Sequence, residues 1–124
     1  MGKKVISTDK APKPFAAYSQ AIKAKGLVFV AGMPPLDPAT NQVVGTTIQE
    51  QTAQCLRNVE AVLRAAGSSL DKAVSATVIM AEDADFAGMN EEWNKWFKTA
   101  PPARQGSVLP IKGVLISIAL IAEE

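Results

Sequence analysis

Histidine is absent from the 124 residues, and cysteine and tyrosine occur once each, as Cys55 and Tyr18. Without histidine the chain loses the usual general base, the commonest metal ligand and every Ser-His or Cys-His nucleophile pair. One cysteine cannot form an intrachain disulfide and, with no histidine beside it, cannot build an ordinary zinc set. A lone thiol fits a reducing compartment. Neither sign of charge dominates: 13 Lys and Arg stand against 12 Asp and Glu, for a net charge of +1. Such a balance gives no electrostatic footprint for nucleic acid or an anionic membrane. No apolar run approaches the length of a membrane span, and the opening MGKKVISTDK lacks the apolar core of a signal peptide. With 48% apolar and 20% charged residues the chain has the composition of a packed globule. The expectation is one domain over residues 1–124, without metal, membrane or nucleic-acid partner. A cytoplasmic location is expected; a mitochondrial one stays open, since no clear targeting segment is seen. Any chemistry must rest on Arg, Tyr, Ser, carboxylates, backbone groups and water.

The order of elements is readable. Ser19 to Lys25 and Leu27 to Gly32 flank Lys25-Gly26 and read as a hairpin. The Pro-, Asp- and Asn-rich MPPLDPATNQVVG reads as a loop with room for a short strand at Gln42 to Val44. Thr47 to Ala66 reads as a helix: Thr47 and Glu50 make a T-x-x-E capping box, an apolar stripe runs from Ile48 to Ala66, and Gly67 ends it. Lys72 to Ala81 follows as a strand with Val74, Ala76, Val78 and Met80 on one face. Asp83 or Asp85 then caps a second helix through Lys98, lined by Phe86, Met89, Trp93, Trp96 and Phe97 and stopped by Pro101-Pro102. Ala103 to Leu109 and Gly113 to Ala122 read as the last strands, joined by a turn at Pro110 to Lys112. Strands separated by helices predict one mixed sheet with both helices on one face. GVLISIALIA carries no polar side chain but Ser117, so both its faces want cover, and another copy of the chain is the simplest one.

TAPPARQGSVLP presents one charge, Arg104, behind two prolines. On residue type alone, an arginine at a strand end is more often a surface charge than an anion site. The neighbouring segments change that balance. VISTDKAP, YSQAI, VAGMPPLDPATNQ, NVEAVLRAAG, DFAGMNEEWNKWF and PPAR follow one another in an order that resembles the RidA family, also called YjgF or endoribonuclease L-PSP proteins. The resemblance covers almost the whole chain. It implies an α+β, chorismate-mutase-like fold: a six-stranded mixed sheet backed by two helices, assembled as a homotrimer with small-molecule clefts between subunits. It also implies hydrolysis of reactive 2-imino or enamino acids, which arise from pyridoxal-phosphate enzymes, to 2-oxo acids and ammonia, with no cofactor.

The resemblance makes Arg104 the anchor for a substrate carboxylate, a task suited to a planar guanidinium that can bind bidentately. It makes Tyr18 a wall of the cleft, able to pack on a small ligand and donate one hydrogen bond. Gly32 and Gly106 would let a ligand approach the backbone. Three positions depart from the deaminase pattern. Ala31 stands where the family often has serine, Gly106 where cysteine is common, and Ala119 where a glutamate is thought to orient or activate water. Ser117, two residues earlier on the same strand face, can hold a water but is no base. Two functions therefore follow. One is a 2-imino or enamino acid deaminase slowed by the loss at Ala119; the other is a non-catalytic or repurposed member that binds a 2-oxo acid or another small carboxylate. A ribonuclease or translation-inhibitor role is disfavoured by the near-zero charge and the absence of a basic-aromatic stripe. Cys55, beside the helix stripe, reads as a buried inert thiol, and the aromatic residues near Trp93 as core.

Overall fold

The computed structural model of the chain describes residues 2–124. In chain order it holds β1 (Lys4–Ile6), β2 (Ala21–Ala24), β3 (Leu27–Met33), α1 (Ile48–Ala65), β4 (Ala73–Met80), α2 (Phe86–Trp96), β5 (Ala103–Val108) and β6 (Ile116–Glu123). The six strands form one mixed sheet in the order β1-β2-β3-β6-β4-β5, in which only β4 and β5 run parallel. This is the expected α+β architecture. The hairpin turn is Lys25-Gly26, both at positive φ (54° and 78°), the two-residue geometry that matches strand twist.

Helix α1 begins where its capping box predicts. Thr47 Oγ1 accepts from the Glu50 amide at 3.1 Å, and Glu50 Oε1 accepts from the Thr47 amide at 3.1 Å. Its stripe of Leu56, Val59, Val62 and Leu63 is fully buried against the sheet. Gly67, at φ 83°, lets the chain turn away. Met89 and Trp93 of α2, with Phe97 just beyond it, join the same core with Ala76, Val78, Ile116, Ile118 and Leu120 from one sheet face. The side chains that alternate with these, on the other face, are only half-buried or exposed.

Several local expectations need correction. The sixth strand is β1, not Gln42 to Val44: Val43 makes only an isolated bridge to Leu36, because the prolines and turn residues around it leave no room for a ladder. Val74 does not share the inward face of β4. A register shift between Ala73 and Ser75 against β6 makes Val74 the extra residue of a bulge and turns it outward, and Ala73 is buried instead. Neither Asp83 nor Asp85 caps α2 with its side chain; Asp83–Asp85 is itself a 3-10 turn that leads into the helix. That helix ends at Trp96, before Lys98. Strand β6 starts at Ile116, not Gly113, since Gly113 sits at φ 79° and the Leu115 amide is taken by the Gln51 side chain at 2.8 Å. The last two strands are consecutive in sequence but not paired: β4 lies between them, so residues 109–115 cross its end.

Candidate active site

Arg104 lies on the edge strand β5, in register with Ala76 of β4. Ala76 is buried on the helix side, and the guanidinium accordingly lies over α2. Its carbon stands 5.1 Å from the Trp93 ring centre and 5.8 Å from that of Phe86, and Nη1 approaches the Met89 sulfur at 3.8 Å. Aromatic faces hold the flat of the cation while its in-plane N–H groups remain able to donate to an anion. The three ion pairs among the described residues, Lys23–Glu124, Arg64–Glu60 and Lys95–Glu92, leave Arg104 without a carboxylate partner. It opens onto a cavity of about 390 Å³ whose other walls include Met80, Phe86, Gly106, Ser107 and Val108. Pro102, buried, turns the chain into β5 and so fixes where the arginine emerges.

Tyr18 belongs to a different cavity. It precedes β2 in a loop whose path is set by the buried Gln20 amide, which donates to the carbonyls of Thr8 and Pro12 and accepts from the Thr8 amide. The Tyr18 hydroxyl accepts from the Phe15 amide at 3.3 Å. With Phe15, Gly32, Val43, Lys112 and Ser117 it lines a cavity of about 430 Å³. Gly32 lies where the β3–β6 register shifts between Val30 and Met33. A β-carbon there would sit 3.0 Å from Ser117 Oγ, so the missing side chain leaves the hydroxyl open to this cavity.

Five of the seven residues expected at the site therefore divide into two groups, and two stand apart. Arg104 and Gly106 stand at the edge of the sheet on the helix side, and Tyr18, Gly32 and Ser117 stand together in the second cavity. Ala31 and Ala119 are half-buried and line neither cavity: Ala31 packs against the core at the β3 irregularity, and Ala119 lies on the sheet face turned away from the helices. Ser117 and Ala119 share that face, paired with Ile79 and Thr77. No residue lines both cavities, and no acidic side chain lines either. Among the described residues no three His, Cys, Asp or Glu side chains gather as metal ligands do.

Sequence reasoning missed three contributors. Trp93 and Phe86 carry the core-facing spacing of an amphipathic helix, which hides their second use as the floor beneath Arg104. Lys112 sits in a connection whose position depends on strand order. Cys55 is buried, with its sulfur 3.7 Å from the Ile116 carbonyl, and burial pushes the thiol well above its ordinary range, so it is inert as expected.

Comparison with known proteins gives the family. The family model described as Endoribonuclease L-PSP matches residues 8–124. A RutC family protein of Saccharolobus solfataricus is 45% identical over 98% of both chains. The 2-iminobutanoate/2-iminopropanoate deaminase of Bos taurus is 37% identical, covering 97% of this chain and 89% of that one. Among solved structures, E. coli TdcF with bound serine superposes with a TM-score of 0.91 at 30% identity, over 98% of each chain.

Proposed function

Because the chain belongs to the endoribonuclease L-PSP family, which includes reactive intermediate deaminases, we propose that it binds small 2-imino and 2-oxo acids through Arg104 and slowly hydrolyses the imino or enamino forms. The observation that carries this reading is an aromatic-backed guanidinium with no ion-pair partner, facing a mostly apolar cavity. The carboxylate of the ligand accepts two N–H bonds from the fork of Arg104. In a homotrimer the Arg104 cavity of one copy meets the Tyr18 cavity of the next, which adds a phenol and the Ser117 hydroxyl to the same cleft. Water held at Ser117 adds to the C=N carbon and gives one proton to the nitrogen, forming a carbinolamine; the hydroxyl then gives its proton to the nitrogen as the C–N bond breaks, and a 2-oxo acid and ammonia leave.

No side chain in either cavity is a base suited to that water. A missing general base costs roughly 10²–10⁴-fold in rate, and turnover then rests on substrate lability and carboxylate fixation. Ala119 also favours a second reading, in which the cleft binds a 2-oxo acid without turnover.

One assay separates them. 2-Iminobutyrate is generated by a deaminating enzyme in the presence of semicarbazide, and the chain competes for it. Protection from semicarbazone formation is expected at high protein concentration, and Arg104→Ala abolishes it. Ala119→Glu is expected to raise the rate. Arg104-dependent binding of 2-oxobutyrate without any protection would leave the binding reading alone standing.

A further inference from the structure

Among the described residues Lys112 is the one charged residue that lines the Tyr18 cavity. None of the ion pairs among the described residues includes it. Its backbone is fixed on both sides. The Ile111 amide donates to the Leu109 carbonyl at 2.8 Å, and the Leu115 carbonyl accepts from the Ala81 amide at 2.9 Å. The Leu115 amide donates to Oε1 of the buried Gln51 on α1 at 2.8 Å, and Gln51 Nε2 also donates to the Gly45 carbonyl at 3.1 Å. The connection that carries Lys112 is thus tied to the core through a buried amide. Lys112, itself exposed, lines this cavity with Tyr18 and Ser117 and with the apolar Phe15 and Val43, and no carboxylate is among the lining residues. An uncompensated cation beside apolar walls attracts an anion more strongly than one in open water. At about 430 Å³ the cavity falls in the range of small-ligand sites, roughly 300–1,000 Å³.

We infer that this cavity is a second anion subsite, in which Lys112 takes the distal carboxylate of a dicarboxylic 2-imino or 2-oxo acid. The inference rests on the reading that Arg104 holds the first carboxylate and that the Arg104 cavity of one copy meets the Tyr18 cavity of the next; what it adds is a substrate class and the residue that selects it. Tyr18 and Ser117 contribute further hydrogen-bond donors to the bound oxygens.

The test compares two acids of the same chain length, 2-oxoglutarate and 2-oxopentanoate, which differ by a terminal carboxylate against a methyl. Calorimetric titration of the full-length protein at low salt is expected to find the diacid bound about tenfold more tightly, the lower end for a charge-assisted pair at a solvent-accessible site. Lys112→Met is expected to bring the two acids level while leaving 2-oxopentanoate affinity within about twofold, and Lys112→Arg to keep the preference. Equal affinities in the wild type, or a preference that survives Lys112→Met, overturn the inference. Arg104→Met reads the underlying proposal separately: 2-oxopentanoate that binds this variant undiminished refutes the anchor role and leaves the Lys112 comparison interpretable. If neither acid binds the wild type at millimolar concentration, both fail together.

Discussion

Gly106 decides how closely strand β5 can lie against β4. A β-carbon built on it would meet the carbonyl oxygen of Val78, its register partner, more closely than real side chains allow. The cysteine that the resemblance leads one to expect at this position therefore cannot be introduced without moving one strand. Gly106→Cys is expected to cost about 1–3 kcal/mol, the usual penalty of overpacking, and to lower the thermal midpoint by several degrees. Because Arg104 is two residues away on the same strand, affinity for 2-oxobutyrate should fall with it. An unchanged unfolding midpoint would show that β5 has more freedom than this packing implies. At this scale the segments of Arg104 and Tyr18 carry the family pattern, while Ser117 stands on a strand that departs from it. The sequence could not reveal Trp93 and Phe86 beneath the guanidinium, because a residue at a helix's inward spacing looks the same whether it packs on leucine or on arginine.

Helix α1 was legible because its signals are local: a capping box, a stripe and a terminal glycine all lie within one stretch of chain. Its first turn is also where the fold should respond to acid. The Glu50 carboxylate is held below its ordinary value first by the Thr46 amide, then by the Thr47 amide and side chain. A carboxyl depressed in the folded state contributes stability that is fully present above its unfolded value, near 4.5, and lost as pH falls through the lowered one. The wild type should therefore outlast Glu50→Gln in urea at neutral pH, and the gap should close in more acidic solution. A gap that is independent of pH would assign the effect to the side chain's shape and not its charge. Thr47→Ala, which removes the reciprocal bond, is expected to cost about 1 kcal/mol by denaturant titration at pH 7. The other elements were less legible where their ends depend on distant partners. Strand β6 begins late because Gln51, 64 residues away in sequence, takes the Leu115 amide. Val74 faces outward because a bulge against β6 shifts the alternation that its own strand would give.

Across the whole molecule the unbalanced feature is the sheet face opposite the helices. Phe29 and Ile121 pair at its centre, Ile22 stands beside them on β2, and Thr77, Ile79 and Ala119 continue the surface without a charge. Phe29 remains 40% exposed. An apolar face of this kind on a central pair of strands calls for a partner, and a further copy of the chain would both cover it and bring the Tyr18 and Lys112 cavity of one subunit toward the Arg104 cavity of another. The expected particle in light scattering is three times the 13.1 kDa chain. Phe29→Asp puts a charge in the middle of that face and leaves Val28 and Val30, which point into the core, untouched. It is expected to yield a folded single chain with unchanged far-ultraviolet dichroism and with carboxylate binding lost. The coupling between the two losses is the informative result. A single chain that still binds 2-oxobutyrate through Arg104 would mean that the arginine cavity is complete in itself and that the Tyr18 group serves another purpose. A trimer that survives Phe29→Asp would move the interface to the exposed edge strand β5, where Val108 stands open with Leu109 just beyond it.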